Sequence, residues 1–190
     1  MRALLLVLLL AGCAGMQQVS PGGVIVREEL SVTADARWNR LEPAPEGGEI
    51  WSADGMALDM LAFYVVAPGE TIGADAEPDA PRWHAAMTPH DIVELYEALV
   101  SQEGSAFQLL RLAPAEFGAL PGFVFEHTTR TRDGPALGGL AYGAVVGGKL
   151  YLISYTAPRG YYYEKHLAAV RAIAASARIR SRESAVCVSP

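Results

Sequence analysis

The dipeptide Gly147-Gly148 constrains this chain more than any other feature, because of what flanks it. Leu137–Val146 and Lys149–Ala157 are two long runs rich in β-branched, aromatic and aliphatic residues. A two-residue loop of the type I′ kind needs positive φ at both positions, and two glycines supply it without steric cost. That turn sets the register. Val146 falls opposite Lys149, Ala144 opposite Tyr151, Tyr142 opposite Ile153 and Leu140 opposite Tyr155. On the other face Val145 meets Leu150, Gly143 meets Leu152 and Ala141 meets Ser154. Both faces are largely apolar. An antiparallel pair with one wet side would alternate with polar residues instead. The hairpin is therefore expected at the centre of a sheet, covered on both sides.

The rest of the chain supplies the covers. Thr88-Pro89-His90-Asp91 reads as a helix start, with Thr88 as N-cap, Pro89 at the first helical position and Asp91 closing a capping box. Ile92, Leu95, Tyr96, Leu99 and Val100 then recur at helical spacing. This predicts a helix over Pro89–Glu103, stopped by Gly104. A second helix is expected over Tyr161–Ile179, with Tyr163, Leu167, Val170, Ala174 and Ala177 as its inner stripe. Val24–Thr33, Ala106–Leu112 and Phe123–Thr131 read as strands. Ile50–Ser52 and Met56–Val66 read as a strand pair around Asp54-Gly55, and Pro68–Pro81 as a long acidic loop. Hairpin-linked strands interrupted by helices argue for an α+β fold: an antiparallel sheet of about six to seven strands packed between helices.

The N-terminus speaks to location. Arg2 is followed by an apolar run from Ala3 to Ala11, then Gly12 and Cys13. The run is about half the roughly 20 apolar residues needed to span a bilayer as a helix, and it fits a secretory signal with small residues at the cut. Leu10-Ala11-Gly12-Cys13 resembles the lipobox of bacterial lipoprotein precursors. That resemblance implies cleavage before Cys13 and lipidation of its thiol, with a diacylglycerol thioether and usually a third chain on the amine. Two or more acyl chains hold a protein stably to a membrane. The Ala14 that follows implies, in a Gram-negative host, the outer membrane facing the periplasm. The expected organisation is a signal peptide at 1–12, a lipidated tether at 13–23, one domain at 24–182 and a flexible tail at 183–190.

Charge and cysteine count narrow the partners. The formal net charge is −6, which opposes nucleic-acid binding. Nine acids and no Lys or Arg lie between Glu42 and Asp79, read as a solvated face. With Cys13 alkylated, Cys187 has no intramolecular partner. It reads as an inert thiol in a loose tail, with an intermolecular disulfide as the alternative.

From Phe123 to Ile179 the chain is similar to the PsbP-like fold, on Gly147-Gly148-Lys149-Leu150-Tyr151-Leu152-Ile153-Ser154-Tyr155 leading through Ala157-Pro158 into a helix that ends near Ala175-Ser176. That fold is shared by an extrinsic photosystem subunit, a Ran-binding nuclear import factor and bacterial lipoproteins. The resemblance implies a non-enzymatic accessory or binding role and carries no site residue over.

The chain carries few signatures of chemistry. Glu103-Gly104-Ser105 lacks the second glycine of a nucleophile elbow. His84, His90, His127 and His166 show no metal-ligand spacing. Asp75, Glu77 and Asp79 alternate in a loop that has Pro78 and Pro81 where a calcium loop wants a turn glycine and a late glutamate. Neither a phosphate-binding loop nor a dinucleotide fingerprint is present. No catalytic, cofactor-binding or metal residue is therefore assigned. Exposed aromatics favour recognition, which marks Tyr161, Tyr162 and Trp83 as a candidate interaction surface, while Trp38 and Trp51 read as plugs at the ends of the core. The expected function is a membrane-anchored envelope lipoprotein that binds or supports another envelope component. The alternatives are a carrier of a small apolar ligand or lipid, for which Ala141, Gly143 and Ala144 leave room, and a hydrolase with an unfamiliar site.

Overall fold

The structure, a computed structural model, describes residues 15–73, 80–101, 105–130 and 134–180. Cys13, Cys187, the segment 183–190 and the trio Asp75, Glu77 and Asp79 lie outside the described residues.

The Gly-Gly hairpin organises everything else. β9 (Ala136–Val146) and β10 (Lys149–Pro158) pair in the register the turn dictates, Val146 with Lys149 through to Leu140 with Tyr155. Gly147 and Gly148 have φ of 58° and 79°, as a turn with two left-handed residues requires. Around this pair the chain builds an eight-stranded antiparallel sheet. The other strands are β1 (Gly15–Gln18), β4 (Asn39–Glu42), β5 (Glu49–Ser52), β6 (Met60–Val66), β7 (Ala106–Phe117) and β8 (Leu120–Arg130). Their spatial order is β1-β4-β5-β6-β10-β9-β8-β7. The count exceeds the expected six to seven, and the fold is α+β as the pattern implied.

Side-chain parity sends the hairpin's residues to two separate cores. Leu140, Ala144, Tyr151, Ile153 and Tyr155 enter one, with Trp38, Trp51, Leu61 and Phe63. That face is closed by α2 (Tyr161–Ala175), through Leu167, Val170, Ile173 and Ala174, and by a three-stranded sheet of β2 (Gly22–Val26), β3 (Leu30–Ala34) and β11 (Arg178–Ile179). Ala141, Leu150 and Leu152 enter the other core, beneath Ile92, Val93, Leu95 and Tyr96 of α1 (Pro89–Val100). Trp38 and Trp51 are fully buried.

Several expected boundaries move, each for a local reason. Val24–Thr33 is not one strand. It breaks at Arg27–Glu29 into the β2–β3 hairpin, with Val26 opposite Leu30. The tether expected at 13–23 is corrected as well: β1 pairs with β4 from Gly15–Glu42 to Gln18–Asn39, and Gly22 and Gly23 already belong to β2. Small and polar residues read as a linker when nothing in the sequence reveals the strand edge that will receive them. The β7–β8 hairpin runs on through Pro114 and Pro121. Proline is tolerated there because β7 is an edge strand, and Pro121 precedes the start of β8–β9 pairing at Phe123.

Both helices end earlier than expected. In α1 the Thr88–Asp91 capping box forms in both directions, and Ser101 is the C-cap; Gly104 lies outside the described residues. In α2 the helix stops at Ala175. Ser176 turns its hydroxyl back onto the Ile173 carbonyl and accepts a hydrogen bond from the Thr33 amide. Arg178 and Ile179 then pair with Ser31 and Leu30. Among the described residues no helix is long and apolar enough to cross a membrane.

The room beside the small hairpin residues is filled from within the protein. A Cβ on Gly143 would lie 2.4 Å from the Phe123 ring, and one on Gly139 would lie 1.9 Å from Nε2 of His127. The glycines thus admit neighbouring rings.

Candidate functional site

Tertiary structure assembles a cluster at the N-terminal end of α2 that the sequence scatters over more than 100 positions. It begins with the β5–β6 connection. Asp59, buried, accepts hydrogen bonds from the Ser52 hydroxyl (2.9 Å), the Ala53 amide (2.8 Å) and the Asp54 amide (2.7 Å). The Ser52 hydroxyl in turn accepts from the Gly55 amide at 2.9 Å. These contacts hold the loop in one shape and aim the Asp54 carboxylate at α2.

There Asp54 meets two side chains of α2. Lys165 Nζ reaches both its oxygens, at 2.6 and 2.8 Å. His166 Nε2 lies 2.8 Å from Oδ2. The Lys165 hydrogen bond, then the His166 hydrogen bond, hold the Asp54 carboxyl below its ordinary value against a smaller opposing effect of burial. His166 is buried against Trp38, with ring centroids 5.7 Å apart. Among the described residues neither its Nδ1 nor the Trp38 Nε1, both buried, has a hydrogen-bond partner.

The anchored lysine completes a surface feature. Lys165 Nζ sits 5.6 Å from the centroid of the Tyr161 ring, within cation–π range. Tyr161 is 72% exposed and packs edge-on against Tyr162, centroids 5.3 Å apart. Tyr162 is half-buried, and its carbonyl accepts a hydrogen bond of 2.9 Å from the Tyr155 hydroxyl beneath. Burial is the main cause pushing the Tyr155 phenol far above its ordinary range, with the Asp59 and Asp54 carboxylates adding to it.

Of the three aromatics expected at an interaction surface, two lie together here. Trp83 does not. It is fully buried, with its Nε1 donating to the Gly148 carbonyl at 2.9 Å and its backbone bonded to Gly69 and Glu70. A loop origin suggested exposure, but the loop folds the indole into the core under α1. His166 is the opposite case. No spacing in the sequence marks it, yet it comes together with Asp54 and Asp59, one ligand atom from each lying within 4.8 Å of the others. These three donors could face a cation. In the structure, however, the oxygens of Asp59 are spent on the loop and those of Asp54 on Lys165 and His166. The cluster behaves as an ion-paired brace. It positions Lys165, and Lys165 positions the exposed ring.

No family model and no curated protein matches this chain. Solved structures do. The cyanobacterial PsbP protein CyanoP of Synechocystis sp. PCC 6803 aligns over 89% of this chain and 95% of its own, with a TM-score of 0.57 and 12% identity. The fold is PsbP-like. The Ran-binding protein Mog1p of Saccharomyces cerevisiae aligns over 90% and 98%, with a TM-score of 0.56 and 7% identity. LpqN of Mycobacterium tuberculosis, described as involved in cell envelope biogenesis, aligns over 88% and 92%, at 0.51 and 12%. At such identities the likeness concerns the fold, and function has to be argued from the site.

Proposed function

We propose that this protein is a cell-envelope lipoprotein, anchored through Cys13, whose PsbP-like domain binds another envelope protein without catalysing a reaction. The observation that carries the binding role is the exposed Tyr161, held beside Tyr162 and under the cation of a lysine that is paired with Asp54, whose carboxylate His166 also contacts. A rigid aromatic pair at the surface contributes contact area at little entropic cost on binding. The carboxylates below it are engaged in bracing, which supports recognition over proton transfer. The anchor rests on the Leu10–Cys13 motif, with Ala14 favouring the outer membrane facing the periplasm. The fold's occurrence in LpqN accords with an envelope location. The small-ligand carrier reading is weakened by Phe123 and His127, which fill the space above Gly143 and Gly139.

Crosslinking and pull-down of the lipidated protein from intact envelopes tests the binding role. An envelope protein captured by the wild type and lost with Tyr161→Ala supports it. Capture unchanged by Tyr161→Ala, or co-purified lipid with no protein, refutes it. Cys13→Ala is expected to release the protein from the membrane fraction; retention there refutes the anchor.

A further inference from the structure

A second site lies at the β2–β3 turn, and its construction points to a ligand. The turn is Arg27-Glu28-Glu29. Arg27 and Glu28 have φ of 50° and 58°, both left-handed, where glycine or asparagine would be accommodated at less cost. Non-glycine residues persist in that region when their surroundings over-determine them, and such residues gather at functional sites. Glu29 does the anchoring here. Its carboxylate takes Lys149 Nζ at 2.6 and 2.8 Å and the Tyr151 hydroxyl at 3.0 Å, and its carbonyl accepts from the Arg180 amide at 2.7 Å.

The turn forms one wall of a cavity of about 340 Å³ whose other charged walls are Glu70 and Lys149. Among the described residues Nε of Arg27 is buried and has no hydrogen-bond partner. A guanidinium is permanently charged and presents five N–H donors in a planar fork. Nε is sealed from solvent, so the part of the guanidinium that a ligand in the cavity can meet is its pair of terminal nitrogens. The acids of the cavity leave that Nε unpaired: Glu29 is held by Lys149 and Tyr151 and Glu28 is engaged as well, whereas Glu70 accepts from the Ala67 amide at 2.8 Å through one oxygen and keeps the other for a further donor.

Charge decides the class of ligand. Three carboxylates against Arg27 and Lys149 leave the lining one negative charge in excess. A polyanion such as phosphate would be repelled. A molecule bearing both a carboxylate and an ammonium would not, because it adds no net charge. We propose that this cavity binds a small zwitterion of the α-amino-acid type, with its carboxylate on the terminal nitrogens of Arg27 and its ammonium towards Glu70. Arg27 is placed at its strained position to reach the ligand, and the fold does not depend on its charge.

Titration of the ¹⁵N-labelled protein with a pool of the twenty common amino acids, then with each alone, tests this by the amide resonances of Val65, Ala67 and Lys149. At least one amino acid is expected to give a saturable shift. Its N-acetyl and its amide derivatives, each lacking one charge, and inorganic phosphate are expected to bind at least about tenfold more weakly, since each loses a charge-assisted contact. Arg27→Gln is expected to abolish the shift. Arg27→Gly is expected to abolish it while raising the melting temperature, because glycine relieves the left-handed φ. No saturable shift with any amino acid, equal binding of the N-acetyl derivative or phosphate, or undiminished binding to Arg27→Gln overturns the proposal. So does unfolding of both variants, which would make Arg27 a structural residue.

Discussion

His127 is expected to make this protein sensitive to mild acid, with the loss beginning above the range where ordinary carboxylates titrate. Its ring is buried between α1 and the sheet, stacked on Phe107 at 4.9 Å and edge-on to Tyr96 at 5.3 Å, with only Nδ1 in contact with a polar group, the Thr129 hydroxyl at 3.2 Å. Nε2 has no partner. Burial opposes the imidazolium and pushes the pKa from the ordinary 6.5 down to about 4. The folded protein therefore binds this proton less readily than the unfolded chain. Stability from the neutral ring is complete above pH 6.5 and falls as pH drops towards 4. At 1.36 kcal/mol per unit of differential proton affinity, the loss reaches about 2 kcal/mol at pH 5 and about 3 kcal/mol at pH 4. Urea unfolding at pH 7 and pH 5 measures it, compared between the wild type and His127→Leu, which removes the titrating group at similar volume. The wild type is expected to lose about 2 kcal/mol more than the variant between the two pH values. Equal losses in the two proteins would refute the reasoning.

Three further substitutions probe the packing. Gly139→Ala would place a methyl 1.9 Å from His127 Nε2 and is expected to cost about 3 kcal/mol by chemical denaturation, much of it recovered in the double variant Gly139→Ala/His127→Ala. Tyr96→Phe deletes the 2.6 Å contact between the buried Tyr96 and Ser154 hydroxyls and is expected to lower stability by about 1–2 kcal/mol, read from the urea midpoint at constant m. Asp59→Ala removes the acceptor of three donors at the β5–β6 loop and is expected to cost about 3 kcal/mol. It should also free Lys165, seen as a loss of restricted motion of its Nζ and of the Tyr161 ring by NMR.

The candidate site was only partly legible in the sequence. Tyr161 and Tyr162 were, because adjacent residues on a helix point about 100° apart and a run of three tyrosines cannot all be buried. Trp83 misled, because a tryptophan in an acidic, proline-containing stretch gives no sign that its backbone will bond to Gly69 and Glu70. Asp54, Asp59 and His166 were not legible as a group at all. In the sequence Asp54 belongs to a turn dipeptide and His166 is one of four isolated histidines; only the docking of α2 across the sheet brings their side chains to 2.8 Å.

What the sequence determined by itself is local: a turn that accepts only positive φ, the register it imposes, the two apolar faces that register creates, and a helix start closed by Thr88 and Asp91. These follow from steric and hydrogen-bonding rules that operate within a few residues. Tertiary structure alone decided where β1 pairs, why α2 gives way to β11, which tryptophan is buried, and which acid meets which base. Those outcomes depend on contacts between residues distant in the chain. A strand edge, a filled cavity or an ion pair exists only once both of its sides are in place.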